Sequence, residues 1–199
     1  MNLKKSIVFG LLALLTIHVK AQSNDYVITT SNDTLNCKIS ISFFTKNYSY
    51  KLSQEGKSIK IKPTEIKEYY LSNKKDLFMA FYLEKKDKPE YFKVLEKGKI
   101  LLVEQVTSQT FAGPMGTAPT TYTNQEWFIT KGTDTVKELK HNSIKFTGES
   151  RNSRKSNFEE MIADNATVLD KYKTEDKFSF KQLRNLVHLY NTGEPLKKE

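Results

Sequence analysis

Apolar and polar residues alternate along most of the chain between residues 26 and 147, and this period of two is typical of β-strands. The alternation is clearest in the run 35–43, where the odd positions are apolar or Cys and the even positions are Asn, Lys or Ser. Residues 77–83 (LFMAFYL) are apolar at both parities, which predicts a central strand. Glycine-containing turns at 96–99 and 131–134 predict two hairpins, so we expect an antiparallel meander.

The period changes near residue 156 to the spacing of an amphipathic helix. Ser156–Glu159 and Ser179–Gln182 fit capping boxes, in which two polar side chains satisfy free backbone N–H groups. We predict helices from these two starts, with a break near Asp164–Asn165 in the first and a stop at Gly193 in the second. Because both helices are short, we expect them to pack on each other and on the sheet.

These patterns predict an α+β fold, in which an antiparallel β-meander sheet, curled into an open barrel or a sandwich, precedes a small C-terminal helical pair. Residues 111–124 contain Gly and Pro but no charge, which predicts a long flexible loop in the β-rich part. The predicted boundaries are an export signal over 1–21, a β-rich domain over 22–150, a helical C-terminal subdomain over 151–193 and a charged tail over 194–199.

The first 21 residues have the pattern of a secretory signal peptide. Lys4 and Lys5 precede an apolar run over residues 6–19, and small residues at the end of the run predict cleavage between Ala21 and Gln22. A membrane anchor is the alternative, but the run is shorter than the roughly 20 residues that a span needs. We therefore expect an exported protein that is periplasmic, associated with the outer membrane or secreted, with no transmembrane segment after cleavage.

The chain carries a formal net charge of +9, and most of its basic residues are lysines rather than arginines. Specific recognition of phosphate or carboxylate favours arginine, whose planar fork bonds two oxygens at once. The lysine excess therefore favours a hydrated surface, and an exported protein is not expected to meet nucleic acid. Binding of acidic polymers by lysines in residues 57–67 and 85–99 stays open as an alternative.

No catalytic motif stands out in the sequence, so we assign no catalytic, cofactor-binding or metal-binding residue and expect no cofactor. Cys37 is the only cysteine, and its place in the alternating run predicts a buried core thiol without a disulfide. His141 and His188 lack partners at metal-ligand spacing, so a structural role is expected for both. The adjacent carboxylates of Glu159 and Glu160 point apart on a helix.

Two short segments resemble each other: YVIT followed by Asp33-Thr34-Leu35, and WFIT followed by Asp134-Thr135-Val136. Two similar hairpins would explain this weak repeat. The Asp-Thr-apolar triplets resemble the acceptor for O-glycans on exported proteins of some Gram-negative bacteria, which makes Thr34 and Thr135 candidate acceptors. The alternative is that Asp and Thr start a strand after a turn.

Several longer segments resemble a group of exported bacterial proteins of unknown function: YVITTSNDTLNCKIS, IKIKPTEIKEYYL, YFKVLEKGKILLVEQV and FSFKQLRNLVHLYN. Where that group often carries an acidic or cysteine-bearing turn between its helices, this chain has Asp164-Asn165 without cysteine. The resemblance implies an envelope location and a β-plus-helix layout. It implies no activity, ligand or catalytic residue.

The function that these observations favour is a non-enzymatic binding or assembly module of the bacterial envelope or periplasm. Its partner would be an envelope protein or an acidic glycan. One alternative is an enzyme that processes envelope glycans or peptides with carboxylate chemistry that sequence spacing does not reveal. The other is the lysine-mediated binder of acidic polymers.

Overall fold

The computed structural model of the protein describes residues 24–42, 47–84, 86–112, 118–142, 149–175 and 177–197. The predicted export signal over 1–21 and its cleavage site between Ala21 and Gln22 lie outside these residues. No helix in the described part of the chain is long and apolar enough to cross a membrane.

The described residues form eleven strands followed by three helices. The strands are β1 (Tyr26–Thr29), β2 (Thr34–Asn36), β3 (Lys38–Ile41), β4 (Tyr48–Lys51), β5 (Ile59–Lys60), β6 (Ile66–Leu71), β7 (Asp76–Leu83), β8 (Glu90–Glu96), β9 (Leu101–Phe111), β10 (Thr120–Thr130) and β11 (Thr135–His141). The helices are α1 (Arg151–Ile162), α2 (Ala166–Glu175) and α3 (Phe180–Thr192). The predicted α+β fold is confirmed.

Eight strands form one large sheet in the order β11-β10-β9-β8-β7-β6-β1-β2, and the remaining three form a small sheet in the order β3-β4-β5. Every pairing is antiparallel except that of β11 with β7, where Thr135 pairs with Tyr82. That parallel pairing closes β7 to β11 into a ring and makes the large sheet mixed instead of purely antiparallel. The ring encloses a core of Phe81, Phe92, Val103, Phe128 and Val136.

The chain passes from the large sheet to the small sheet at Cys37. The run 35–43 was predicted as one strand, but it is divided between β2 and β3 in different sheets. Asp25 holds this junction, because its carboxylate accepts hydrogen bonds from the Ile39 N–H at 2.9 Å and from the Ser72 N–H at 2.8 Å. Cys37 is partly buried there, and burial together with the charge of Asp25 raises the pKa of its thiol to about 11.

The helical end differs from the prediction at its start. Helix α1 begins at Arg151 with Ser150 as its N-cap, not at Ser156, and α2 begins after a break at Asn165. Residues 151–157 lack apolar side chains, so the spacing of apolar residues could not indicate the first two turns of α1. The break near Asp164–Asn165 is confirmed and makes three helices instead of a pair.

Helix α3 agrees with the prediction at both ends. Ser179 caps its first turn by accepting a hydrogen bond from the Gln182 N–H at 3.2 Å. Gly193 ends it with a φ of 76°, a left-handed conformation that favours glycine. Within the described part of the predicted tail, residues 195–197 border a hollow of about 650 Å³ beside Trp127 and Arg184.

One core joins the helices to the large sheet. Fully buried residues of α1 and α3 pack against the outer face of β9 to β11, and these include Phe158, Ile162, Leu183, Leu186 and Val187 on the helices and Leu102, Ile129 and Leu139 on the strands. The helices therefore share their hydrophobic core with the β-rich part of the chain.

The loop predicted over 111–124 is shorter than expected. Strand β9 extends to Phe111 and β10 begins at Thr120. The first residue and the last five residues of the predicted loop therefore belong to strands. Threonine and tyrosine favour strands, and a hydroxyl contact of 2.9 Å joins Thr110 to Thr121 across the pair. Residues 113–117 lie outside the described residues, as do residues 143–147 at the end of the alternating stretch.

Candidate ligand-binding cleft

A cleft of about 580 Å³ lies where the small sheet meets the large sheet. We call it the aromatic cleft. Four rings line it, those of Tyr48, Tyr69, Phe78 and Tyr91, together with two prolines and three lysines, which are Pro63, Pro89, Lys60, Lys62 and Lys88. Ligand sites are commonly apolar clefts of this size with a few polar groups at the edge, so this is the best candidate site in the described part of the chain.

The four rings form a continuous cluster. Tyr69 and Phe78 are stacked with centroids 4.8 Å apart and an interplanar angle of 9°, and Tyr91 meets Tyr69 edge-on, also at 4.8 Å. Tyr48 lies 5.4 Å from Tyr69 and 6.2 Å from Phe78. Offset and edge-to-face contacts of this kind fix ring orientations, so the packing of the rings on one another shapes the cleft.

Strand pairing places these rings together. Tyr69 of β6 is the cross-strand partner of Phe78 of β7, and partners share one face of a sheet. Tyr91 of β8 is held by a hydrogen bond of 2.7 Å from its hydroxyl to the carbonyl oxygen of Ile66. Tyr48 of β4 comes from the small sheet, so the cleft depends on both sheets being in place.

The hydroxyls of Tyr69 and Tyr91 are neutral at physiological pH. Burial raises the pKa of Tyr69 and Tyr91 well above the ordinary value, because a phenolate would lose its hydration. Tyr69 is only 2% exposed and serves as the base of the cluster. The partly exposed rings of Tyr48, Phe78 and Tyr91 are the ones that a ligand can touch.

The edge of the cleft is positively charged. Lys62 forms an exposed ion pair with Glu65 at 2.8 Å. Among the described residues, Lys60 and Lys88 have no carboxylate within ion-pair distance. An anionic group that enters the cleft would therefore find two ammonium groups without a competing partner.

The two histidines that the sequence singled out lie beside carboxylates instead of in the cleft. His188 Nδ1 is 2.9 Å from Glu96 Oε2, and Arg184 Nε donates to the other oxygen of Glu96 at 2.7 Å. His141 Nε2 is 3.5 Å from Glu138 Oε1. Each carboxylate also connects its strand to a helix, Glu96 through Arg184 of α3 and Glu138 through Arg154 of α1 at 3.3 Å. Sequence spacing did not reveal these partners.

The adjacent carboxylates on α1 also lie outside the cleft, and Glu159 forms an ion pair with Lys173 of α2 at 2.9 Å. Within the described residues, no group of three or more His, Cys, Asp or Glu side chains is arranged to hold a metal ion.

The two candidate glycan acceptors have different surroundings. Thr34 is exposed on β2, the edge strand of the large sheet, whereas Thr135 is half-buried and its hydroxyl lies 3.4 Å from Asp134 Oδ1. Both belong to hairpins, but Ile28 pairs with Thr34 while Ile129, its counterpart, pairs with Lys137. The repeat in sequence is thus a pair of hairpins with different registers. Modification of either threonine stays a prediction.

Comparison of the chain with families of known proteins, with curated proteins and with solved structures found no match. The candidate site therefore depends on its own geometry. Sequence reasoning missed it because its rings come from β4, β6, β7 and β8, and only the strand register brings them together.

Proposed function

We propose that the protein is an exported, non-enzymatic binding module of the bacterial envelope, and that the aromatic cleft holds an acidic glycan. The observation that carries this proposal is the combination in one cleft of ring faces with Lys60 and Lys88, which have no ion pair among the described residues. A sugar ring has an apolar face that packs on an aromatic ring, as other partly apolar rings do. Its carboxylate or sulfate groups would pair with Lys60 and Lys88.

The export signal and the resemblance to exported bacterial proteins support the envelope location. The absence of a recognisable catalytic motif in the sequence favours binding over turnover. The net positive charge of the chain adds to the attraction of an acidic ligand at long range, and that attraction weakens as salt screens it.

Calorimetric titration tests the proposal with acidic oligosaccharides and with neutral oligosaccharides of the same length. We expect the acidic series to bind and the neutral series to bind at least tenfold more weakly. The double variant Lys60→Gln/Lys88→Gln should lose most of this preference. Tyr48→Ala should weaken both series, because the ring contact does not depend on charge.

The matched control is Lys171→Gln on α2, which removes one positive charge from outside the cleft. Equal loss of affinity in this control would mean that net charge, and not the cleft, drives binding. Shortening of the oligosaccharide during the titration, detected by mass spectrometry, would favour the glycan-processing enzyme instead.

A further inference from the structure

The outer face of the small sheet carries lysines and serines. Lys38 on β3 is directly opposite Lys51 on β4, and Ser40 is opposite Ser49. Ser49 is in turn opposite Lys60 on β5. Since cross-strand partners share a face, these five residues lie side by side, and we call this surface the lysine–serine face.

Two lysines directly opposite each other repel, and such pairs destabilise a sheet. In the described part of the chain, neither Lys38 nor Lys51 has a carboxylate within 4 Å. Lys38 contributes to lowering the pKa of Asp25, but that carboxylate already accepts hydrogen bonds from Ile39 and Ser72. The repulsion between the two lysines is therefore not relieved by an ion pair.

Lysines of the large sheet are placed differently. Lys93 forms an ion pair with Asp76 at 2.7 Å, and Lys97 forms one with Glu68 at 3.2 Å. The fold can thus supply carboxylates to strand lysines, but it supplies none to the opposed pair on the small sheet. A dianion from outside would satisfy both ammonium groups at once.

An open hollow of about 720 Å³ lies next to the opposed pair. Lys38 and Lys51 line it together with the polar side chains of Ser40 and Gln54. Leu52, which is 57% exposed, adds an apolar patch to the same hollow. The space is larger than a phosphate group alone requires, so a small organic carrier of that group also fits.

We propose that this hollow binds the phosphate monoester group of a small organic ligand, with Lys38 and Lys51 on its oxygens. A phosphate monoester carries a charge of about −1.5 to −2 at pH 7, which matches two ammonium groups. The Ser40 hydroxyl and the Gln54 amide supply further hydrogen-bond donors. The site is separate from the aromatic cleft, and it stands whether or not the cleft binds a glycan.

Titration of the purified protein with glucose 6-phosphate, inorganic phosphate and sulfate tests this proposal. Exposed ammonium groups lead us to expect a dissociation constant of roughly 1–10 mM for the ester. Lys38→Gln and Lys51→Gln should each weaken binding about fivefold or more, whereas Lys171→Gln on α2 should leave it unchanged. Lowering the pH from 7.5 to 5 should weaken phosphate binding, whose second pKa is about 6, but not sulfate binding.

A second variant separates the site from general charge effects. Lys51→Glu replaces the opposed lysines with an opposite-charge pair, so in phosphate-free buffer it should raise Tm by about 1–3 °C while abolishing binding. Vesicles containing phosphatidic acid test a lipid source of the same group. Capture by vesicles without binding of the soluble ester would overturn the small-ligand proposal. So would unchanged affinity in the glutamine variants, or a lack of saturable binding up to about 50 mM ester, well above the expected constant.

Discussion

The small sheet and the helix-covered half of the large sheet contain similar apolar and charged residues, but these differ in burial and in ion pairing. Where α1 and α3 cover the large sheet, the apolar side chains of the shared core are buried, and Glu96 of β8 pairs with Arg184 and His188 of α3. On the small sheet, Ile41 and Ile59 remain 50% and 40% exposed, and the opposed lysines have no ion pair within the described residues. Stability is therefore concentrated in the first region, and unsatisfied surface in the second.

This difference shows where function should be sought. Side chains that are already buried or ion-paired cannot contact a ligand. The exposed apolar and charged side chains of the small sheet are available to a partner. The aromatic cleft and the lysine–serine face both involve the small sheet, and Lys60 belongs to both. Substitutions in the helix-covered half should lower stability, and substitutions on the small sheet should lower ligand binding. The following variants test this difference.

The largest effect is expected from Leu186→Ala on α3. Leu186 is fully buried between the helices and the sheet, so truncation removes apolar burial and leaves a cavity. We expect a loss of about 2–5 kcal/mol in the free energy of unfolding, measured by urea denaturation. Ile59→Ala on β5 is the matched control, and its partial exposure should limit the loss to about 1 kcal/mol. Equal losses at the two positions would contradict the division into a stabilising region and a binding region.

A glycine contact gives the next test. Asn191 of α3 accepts a hydrogen bond from the Ile100 N–H at 3.0 Å and donates one to the Ile100 carbonyl at 2.8 Å. A Cβ on Gly98 would overlap Asn191 Cγ, so this glycine lets the helix approach the strand. Gly98→Ala should displace Asn191 and cost about 2 kcal/mol, since both hydrogen bonds are lost.

The control for this test is Gly56→Ala in the turn between β4 and β5. There the added methyl group would lie 3.0 Å from the Ser53 hydroxyl, which can rotate away, and 3.2 Å from the Ser53 carbonyl oxygen, which needs to move by only a few tenths of an ångström. We therefore expect a loss below about 1 kcal/mol. Thermal unfolding of both variants checks the order. A greater loss at Gly56 would mean that the small sheet is packed more tightly than its exposure indicates.

Local patterns predicted the parts of the fold that depend on neighbouring residues. Helix α3 has a cap, an apolar stripe and a terminal glycine within one segment, and it appeared where expected. Helix α1 did not, because its first turns are held by Arg154 contacts with Glu138 and with the Glu149 carbonyl. The contact with Glu138 crosses from helix to sheet, and such a contact leaves no period in the sequence.

The candidate sites depend even more on long-range pairing. Nothing in residues 35–43 indicates that the chain changes sheets at Cys37, since alternation continues across the change. Once β3 and β4 pair, the register alone sets Lys38 opposite Lys51. A shift of one residue would turn these side chains to the other face, so a sequence reading without the register could not find the site.

The smallest of these effects concerns Asp25, whose carboxylate joins the small sheet, at Ile39, to the large sheet at Ser72, directly after β6. Asp25→Asn removes one of the two acceptor oxygens and sets an amide donor against a backbone N–H. We expect a loss of about 1–2 kcal/mol at pH 7, measured by urea denaturation. Because these hydrogen bonds connect the two sheets that form the aromatic cleft, the variant should also weaken the binding of ligands to the cleft.

The pH dependence of that loss identifies its cause. Burial opposes ionisation of Asp25, but hydrogen bonds from Ile39 and Ser72 outweigh it, and its pKa is lower than the ordinary 3.8. A lowered pKa in the folded state gives stability that is present above about pH 4 and is lost as the pH falls through the folded value. The difference between the native chain and Asp25→Asn should therefore be full at pH 7 and should shrink below pH 4. A difference that stays constant down to pH 2 would show that the carboxylate charge does not hold the sheets together.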